Sequence, residues 1–553
     1  MCATLYRFCL PRRFRCPVFV AVIGVVVALA TMSRVALATS VIVTKQGPLS
    51  GFPYLEETVY FGIPYAAPPV GSLRWLPPQP PAHFKGVFQA TQTGNVCVQS
   101  DGVGGTMGDE DCLTLNVVVP DVSPPRGGFP VMVWIHGGGL VEGAGFFYDP
   151  TPIVQNGNVI VVTINYRLGL LGFFAHPAID AEHHPNANYG LMDQQFALKW
   201  VRDNIEAFGG NNRRVTIFGE SAGGFSVLSN VASPTAAGLF DGAISESGAY
   251  AHFQQYYDTG ADASVVSLKT AEKSGTLFVP AGTTFSAGVG CGSDASAKTA
   301  KCLRAVPASS LVLEEPGIVF PIIDGTVLTQ RLSSSFAGGN FNKVPIINGT
   351  NHDEWRNQVA TEYGDTLMDA DYPAAVAAFI NPPNPSLVNQ LVELYPLSDY
   401  PPPAGYSVSA PLALGALGTD VFFVCTARQA DLSLSRYTPT YTYEFHDETA
   451  PSFFGTLNFP PGDYHFVEVL YLFDFGLLST PEQQQLSNTM IGYWTQFART
   501  GNPNSDGAPY WPAYRSKHGQ LESLVAPTPT TITDSSFDAD HKCSSFWDQL
   551  VIP

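Results

Sequence analysis

The chain has 553 residues, of which 45% are apolar and only 14% charged, with a formal net charge of −19. An acidic balance of this size opposes nucleic acid and anionic lipid surfaces as partners, because like charges repel. The apolar content can fill a large core, and no Ser/Gly-rich linker, charge block or internal repeat divides the chain, so one large domain is expected over residues 39–553.

The amino terminus carries Arg7, Arg12, Arg13 and Arg15 without an acid, then an apolar run from Val18 to Thr31, then Ala36-Leu37-Ala38. That layout predicts a secretory leader over residues 1–38, cleaved after Ala38. The run falls short of the roughly 20 residues a membrane span needs. An uncleaved anchor is the alternative, and no later segment reads as a span. Cleavage removes five arginines and no acid, taking the net charge from −19 to −24. It also removes Cys2, Cys9 and Cys16 and leaves six cysteines, an even set suited to an oxidising, extracellular setting. No metal-ligand spacing is present, so neither metal nor cofactor is expected.

Two glycine-rich turns follow apolar runs. Val131-Met132-Val133-Trp134-Ile135 leads into His136-Gly137-Gly138-Gly139, and Val215-Thr216-Ile217-Phe218 leads into Gly219-Glu220-Ser221-Ala222-Gly223. A Gly-x-Ser-x-Gly between strand and helix is a nucleophile elbow, whose tight turn strains the serine backbone and demands small neighbours. Ser221 is therefore the candidate nucleophile. Ester hydrolysis builds negative charge on the carbonyl oxygen, and backbone amides aimed at that oxygen stabilise it. The amides of Gly138, Gly139 and Ala222 are the candidate donors.

A serine hydroxyl needs an imidazole to take its proton and a carboxylate to hold that imidazole, in the chain order Ser, acid, His for this kind of elbow. Val344-Pro345-Ile346-Ile347 reads as the strand before the acid, and the following loop, Asn351 to Trp355, offers both Asp353 and Glu354. Neighbouring carboxylates are equivalent to this reasoning. Six histidines follow Ser221: His252, His352, His446, His465, His518 and His541.

Several long stretches add a resemblance. They include Gly62-Ile63-Pro64-Tyr65-Ala66, Leu73-Arg74-Trp75, Glu110-Asp111-Cys112-Leu113-Thr114-Leu115-Asn116, Asn165-Tyr166-Arg167, Asn188 to Gln194 and Phe208-Gly209-Gly210-Asn211. With the two turns, in this order, they resemble the type-B carboxylesterase and lipase group of the α/β-hydrolases, which also contains the cholinesterases. The resemblance implies an α/β-hydrolase fold, with a large, mostly parallel twisted sheet flanked by helices. It implies Glu354 rather than Asp353 as the acid and His465, in Gly462-Asp463-Tyr464-His465-Phe466, as the base, with His446 as the fallback. It further implies supporting roles for Glu220 and Ser247, structural ion pairs Arg74 with Glu110 and Arg167 with Asp193, and disulfides Cys97 with Cys112, Cys291 with Cys302 and Cys425 with Cys543.

The sequence also departs from its relatives. In them, the loop closed by the first disulfide carries a long lid or a choline-binding tryptophan; here the stretch Val98 to Asp111 is short and has neither. A quaternary cation needs an aromatic face, and a lid for an oil droplet needs more apolar surface than Val98, Val103 and Met107. The expectation is a secreted ester hydrolase for small to medium or aromatic esters, with a small-molecule ester and water as its partners. A lipase or sterol esterase is the alternative, and a non-catalytic adhesion or carrier member a remote one. Glu314 to Gly317, where some relatives have bulky acyl-pocket residues, predicts a roomier acyl pocket, and Leu140 a wider entrance. Tyr250 and Phe253 are candidate gorge residues. The acceptor pattern Asn348-Gly349-Thr350 is expected to be unglycosylated. An unperturbed histidine base predicts a rate that falls as pH drops through about 6 to 7.

Overall fold

The structure, a computed structural model, describes residues 41–248, 266–274, 281–313, 318–379, 384–515 and 519–550. The leader, Tyr250, Phe253 and the Glu314–Gly317 stretch lie outside the described residues.

Eleven strands make the largest sheet. In chain order they are β1 (Phe52–Tyr54), β2 (Glu57–Pro64), β3 (Thr114–Pro120), β4 (Phe129–Ile135), β5 (Ile160–Ile164), β6 (Gly210–Glu220), β7 (Gly242–Glu246), β8 (Ile346–Asn351), β9 (Thr440–Phe445), β10 (Gln520–Leu524) and β11 (Thr530–Thr533). Across the sheet they run β11-β10-β9-β8-β7-β6-β4-β5-β3-β2-β1. From β10 through β5 every neighbouring pair is parallel, and the pairs at both ends are antiparallel.

Strands β4 and β5 are nearly continuous apolar runs because both of their faces are covered. Strand side chains alternate between faces, and β4 divides accordingly. Val131, Val133 and Ile135 join one apolar cluster with Phe225, Leu228 and Val231 of the helix α1 (Ala222–Ala232). Met132 and Trp134 join another with Leu486, Met490, Trp494 and Phe497 of α2 (Pro481–Thr500). The capping box of Thr480 and Gln483 starts α2, and Gly501 in left-handed conformation ends it.

Chain order reverses around β4, since β5 lies on one side of it and β6 on the other. Crevices at the carboxyl ends of parallel strands open at such a switch point. The glycine turn leaves β4 there and the elbow leaves β6 beside it, with Gly219 paired to Ile135. Strands β8 and β9 run parallel to these, so the loop carrying Glu354 emerges along the same edge.

Three disulfides join Cys97 to Cys112, Cys291 to Cys302 and Cys425 to Cys543. They accord with a secreted or lumenal protein. Arg74 meets Glu110 and Arg167 meets Asp193 through two-toothed guanidinium–carboxylate pairs, the first joining two loops and the second a loop to the helix Tyr189–Asn204. One point differs from the sequence reading. The continuous helix Ala410–Leu434 is long and apolar enough to cross a membrane, but nearly all of it is buried within the protein, where it packs with Phe459, Leu521 and Trp547. Asn348 is fully buried in β8 with its Nδ2 donating to Asp431, which leaves no room for a glycan on the folded chain.

Candidate active site

The elbow geometry follows from close packing. Ser221 sits between β6 and α1 at φ 57° and ψ −122°, a conformation that L-residues adopt only when their surroundings enforce it. The enforcement is visible: its amide donates to the carbonyl of Glu246 at 2.9 Å, and its carbonyl accepts from Phe225 at 2.8 Å. A Cβ at Gly219 would lie 2.4 Å from the Ile135 carbonyl oxygen, and one at Gly223 only 1.9 Å from it. Both flanking positions therefore exclude any side chain. Gly223→Ala is expected to destabilise the fold by about 3 kcal/mol, the upper part of the overpacking range, and to displace Ser221. Thermal unfolding of the variant checks this, and an unchanged Tm would mean that helix and strand are not pressed together.

Ser221 Oγ lies 2.7 Å from His465 Nε2, and His465 Nδ1 lies 2.6 Å from Glu354 Oε2. All three side chains are at least 95% buried. Glu354 is itself held, since its Oε1 accepts from the Ser247 hydroxyl at 2.5 Å and from the Asn351 amide at 2.8 Å. The His465 amide donates to the Glu354 carbonyl at 3.1 Å, so the loops that carry the two residues are joined through the backbone as well. Asp353 points elsewhere, with Oδ1 facing Arg356 and His352. His446 faces Asp463 and Glu448 and takes no part in the series.

The glycine turn lies against the serine. A Cβ on Gly137 would be 3.1 Å from Ser221 Cβ. Gly138 and Gly139 take φ of 97° and 61°, which turn the chain back on itself. The amides of Gly138, Gly139 and Ala222 donate to no carbonyl among the described residues. Tyr166 stacks on His136 and donates to its carbonyl at 2.7 Å, fixing the start of the turn. Burial holds His136 neutral, with its pKa down at about 4. Leu140 is fully buried among core residues, so it does not border an open entrance.

Electrostatically the site is crowded with buried carboxylates. Glu220 Oε1 lies 3.2 Å from His465 Nε2, Glu468 accepts from Asn351 Nδ2, and Glu246 accepts from Trp494 Nε1 at 2.7 Å. Burial raises the pKa of Glu220 and Glu246 well above the usual carboxylate range, and burial together with Glu354 brings Glu468 to about 7. Burial works against a charged His465, but Glu220 and Glu354 outweigh it and raise its pKa. Glu246 and Glu468 were not singled out from the sequence. Glu246 ends an apolar strand and Glu468 follows the histidine by three residues, and only the fold reveals that both are enclosed.

An eleven-stranded mixed sheet, helices on both faces, and a strained serine between strand and helix define an α/β-hydrolase. The chain belongs to the carboxylesterase family, whose model matches residues 38–539. It is 34% identical to an acylcarnitine hydrolase of Mus musculus, over 85% of this chain and 83% of that one. It is 35% identical to a cocaine esterase of Homo sapiens, over 85% and 84%, and 34% identical to a liver carboxylesterase of Sus scrofa, over 89% and 91%. The protein is a carboxylic-ester hydrolase.

Proposed function

We propose that residues 39–553 form one secreted catalytic unit that hydrolyses small to medium or aromatic esters through Ser221, His465 and Glu354. The observation that carries this reading is the unbroken series from Ser221 Oγ through His465 to Glu354, beside three amides without carbonyl partners among the described residues. In the first step Ser221 Oγ attacks the ester carbonyl carbon while its proton passes to His465 Nε2. Glu354 steadies the imidazolium, and the amides of Gly138, Gly139 and Ala222 receive the oxyanion. Collapse expels the alcohol, which takes the proton from His465. Water then repeats the sequence on the acyl-enzyme and releases the acid, restoring Ser221.

The substrate class rests on the loop closed by Cys97 and Cys112. Gln99–Ser100 pairs with Thr106–Met107 in a short hairpin, and the Asp101 carboxylate accepts from the Val103 and Gly105 amides to close its tip. Gln99 exchanges two hydrogen bonds with the backbone of Gly143, which ties the hairpin to the glycine turn. Such a loop has little apolar area for an oil surface. A panel of acyl esters from about two to eighteen carbons, with an aromatic acyl ester included, tests the reading. Rates are expected to be highest for short, medium or aromatic acyl groups and to rise smoothly with concentration. A jump in rate above the solubility limit of a long-chain ester would favour a lipase instead.

The raised pKa of His465 changes the pH expectation. The base must be neutral to act, so a raised pKa moves the acid limb of kcat/KM above the pH 6 to 7 window of an unperturbed histidine. Glu220→Gln removes a negative charge 3.2 Å from Nε2 and should lower that limb by about one unit. A limb that stays in place would mean that Glu220 itself holds the proton.

A further inference from the structure

Away from Ser221, three histidines crowd the far side of the acid and base loops. The rings of His352 and His446 stack with centroids 4.2 Å apart, and His541 lies edge-on to His352 at 5.4 Å. His541 is satisfied, its Nδ1 on Asp420 and its Nε2 on Glu444, both at 2.7 Å. His352 and His446 are different, with side chains 28% and 35% exposed. Beneath them lies Asp463, fully buried, and neither of its carboxylate oxygens receives a hydrogen bond. Its Oδ2 is 4.0 Å from His446 Nε2.

One nitrogen from each of the two rings and one oxygen of Asp463 lie within 4.8 Å of one another. A buried carboxylate without a donor calls for a proton or a cation. Here two imidazoles frame it on the solvent side. Asp353 Oδ1 faces His352 Nδ1 at 3.1 Å and is itself held by Arg356 at 2.8 Å, the carboxylate support that orients metal-binding imidazoles. Two nitrogens and one carboxylate oxygen suit a borderline-soft divalent ion, with water in the fourth position. Bonds of about 2.0–2.1 Å to a tetrahedral ion need donors roughly 3.3 Å apart, a closure that small rotations of the two half-exposed rings supply.

We propose that His352, His446 and Asp463 bind one divalent transition-metal ion of the zinc class. The site would act as a clamp on the machinery without touching it. His352 is two residues before Glu354 and Asp463 two before His465. The same loops already meet through the Asp353 amide on the Asp463 carbonyl at 3.2 Å and the Asp463 amide on Asp353 Oδ2 at 3.1 Å.

Titration of the chelator-treated protein with Zn²⁺, followed by calorimetry and thermal unfolding, tests the proposal, with Mg²⁺ as the comparison. One Zn²⁺ per chain is expected to bind and raise Tm, with Mg²⁺ failing to compete. His446→Ala and His352→Ala should each weaken Zn²⁺ at least tenfold, and His446→Ala should keep its ester hydrolysis in the absence of metal, which shows that it is folded. Co²⁺ should give the visible absorption of a four-coordinate ion, lost in His446→Ala. Absence of saturable binding, equal competition by Mg²⁺, or Zn²⁺ affinity unchanged by both histidine variants would overturn the site and leave only general attraction of cations to an acidic surface.

Discussion

Ser221→Ala is expected to lower kcat by about four orders of magnitude or more, because the members of such a series act as a unit and removal of the nucleophile alone abolishes the acyl-enzyme route. The hydroxyl is the only group deleted, and among the described residues its hydrogen-bond partner is His465 Nε2. Backbone strain at position 221 is borne by the Glu246 carbonyl and the α1 packing, which alanine retains. Tm should therefore stay close to that of the parent protein. Steady-state hydrolysis of a chromogenic ester beside a thermal melt checks both halves, and substantial turnover by the folded variant would remove Ser221 from the chemistry.

Glu354→Gln should be nearly as damaging, with kcat down by about three to four orders of magnitude. The reason lies in the donors that already surround the carboxylate. The Asn351 amide is a fixed donor to Oε1, and the Ser247 hydroxyl points there too, so the glutamine carbonyl must take that place. Its NH₂ group then faces His465 Nδ1 at the former Oε2 position. Nδ1 must become the acceptor, which puts the ring proton on Nε2, where it can no longer receive the proton of Ser221. The variant keeps shape and volume, so Tm should change little while activity collapses. A kcat within about tenfold of the parent would show that the tautomer of His465 does not govern the rate.

Much of the scaffold was legible in local patterns. The run Val131 to Ile135 is apolar at every position, and the fold divides it between two cores as strand alternation requires. The glycines at 219 and 223 were readable for the same kind of reason, since the Ile135 carbonyl sits where their side chains would be. Less was legible where distance in sequence matters. Reasoning from residues alone could not separate Asp353 from Glu354, because adjacent positions in a turn point in different directions and the turn's orientation is set by its neighbours. No segment after the leader read as a membrane span, and the length of the apolar helix Ala410–Leu434 became apparent only in the fold.

By itself, then, the amino-acid sequence determined the elements and their sharpest turns: steric exclusion and side-chain periodicity act over a few residues, and both are written in neighbouring letters. Tertiary structure decided which of several histidines meets the serine, 244 positions away, and which carboxylate stands behind it, 111 positions from that histidine. It also decided that Glu220 and Glu468 are enclosed near one imidazole, with the buried Glu246 close to both of them. Burial and charge proximity belong to the packed chain, so the proton affinity of His465 follows from strands brought side by side and from no local stretch of residues.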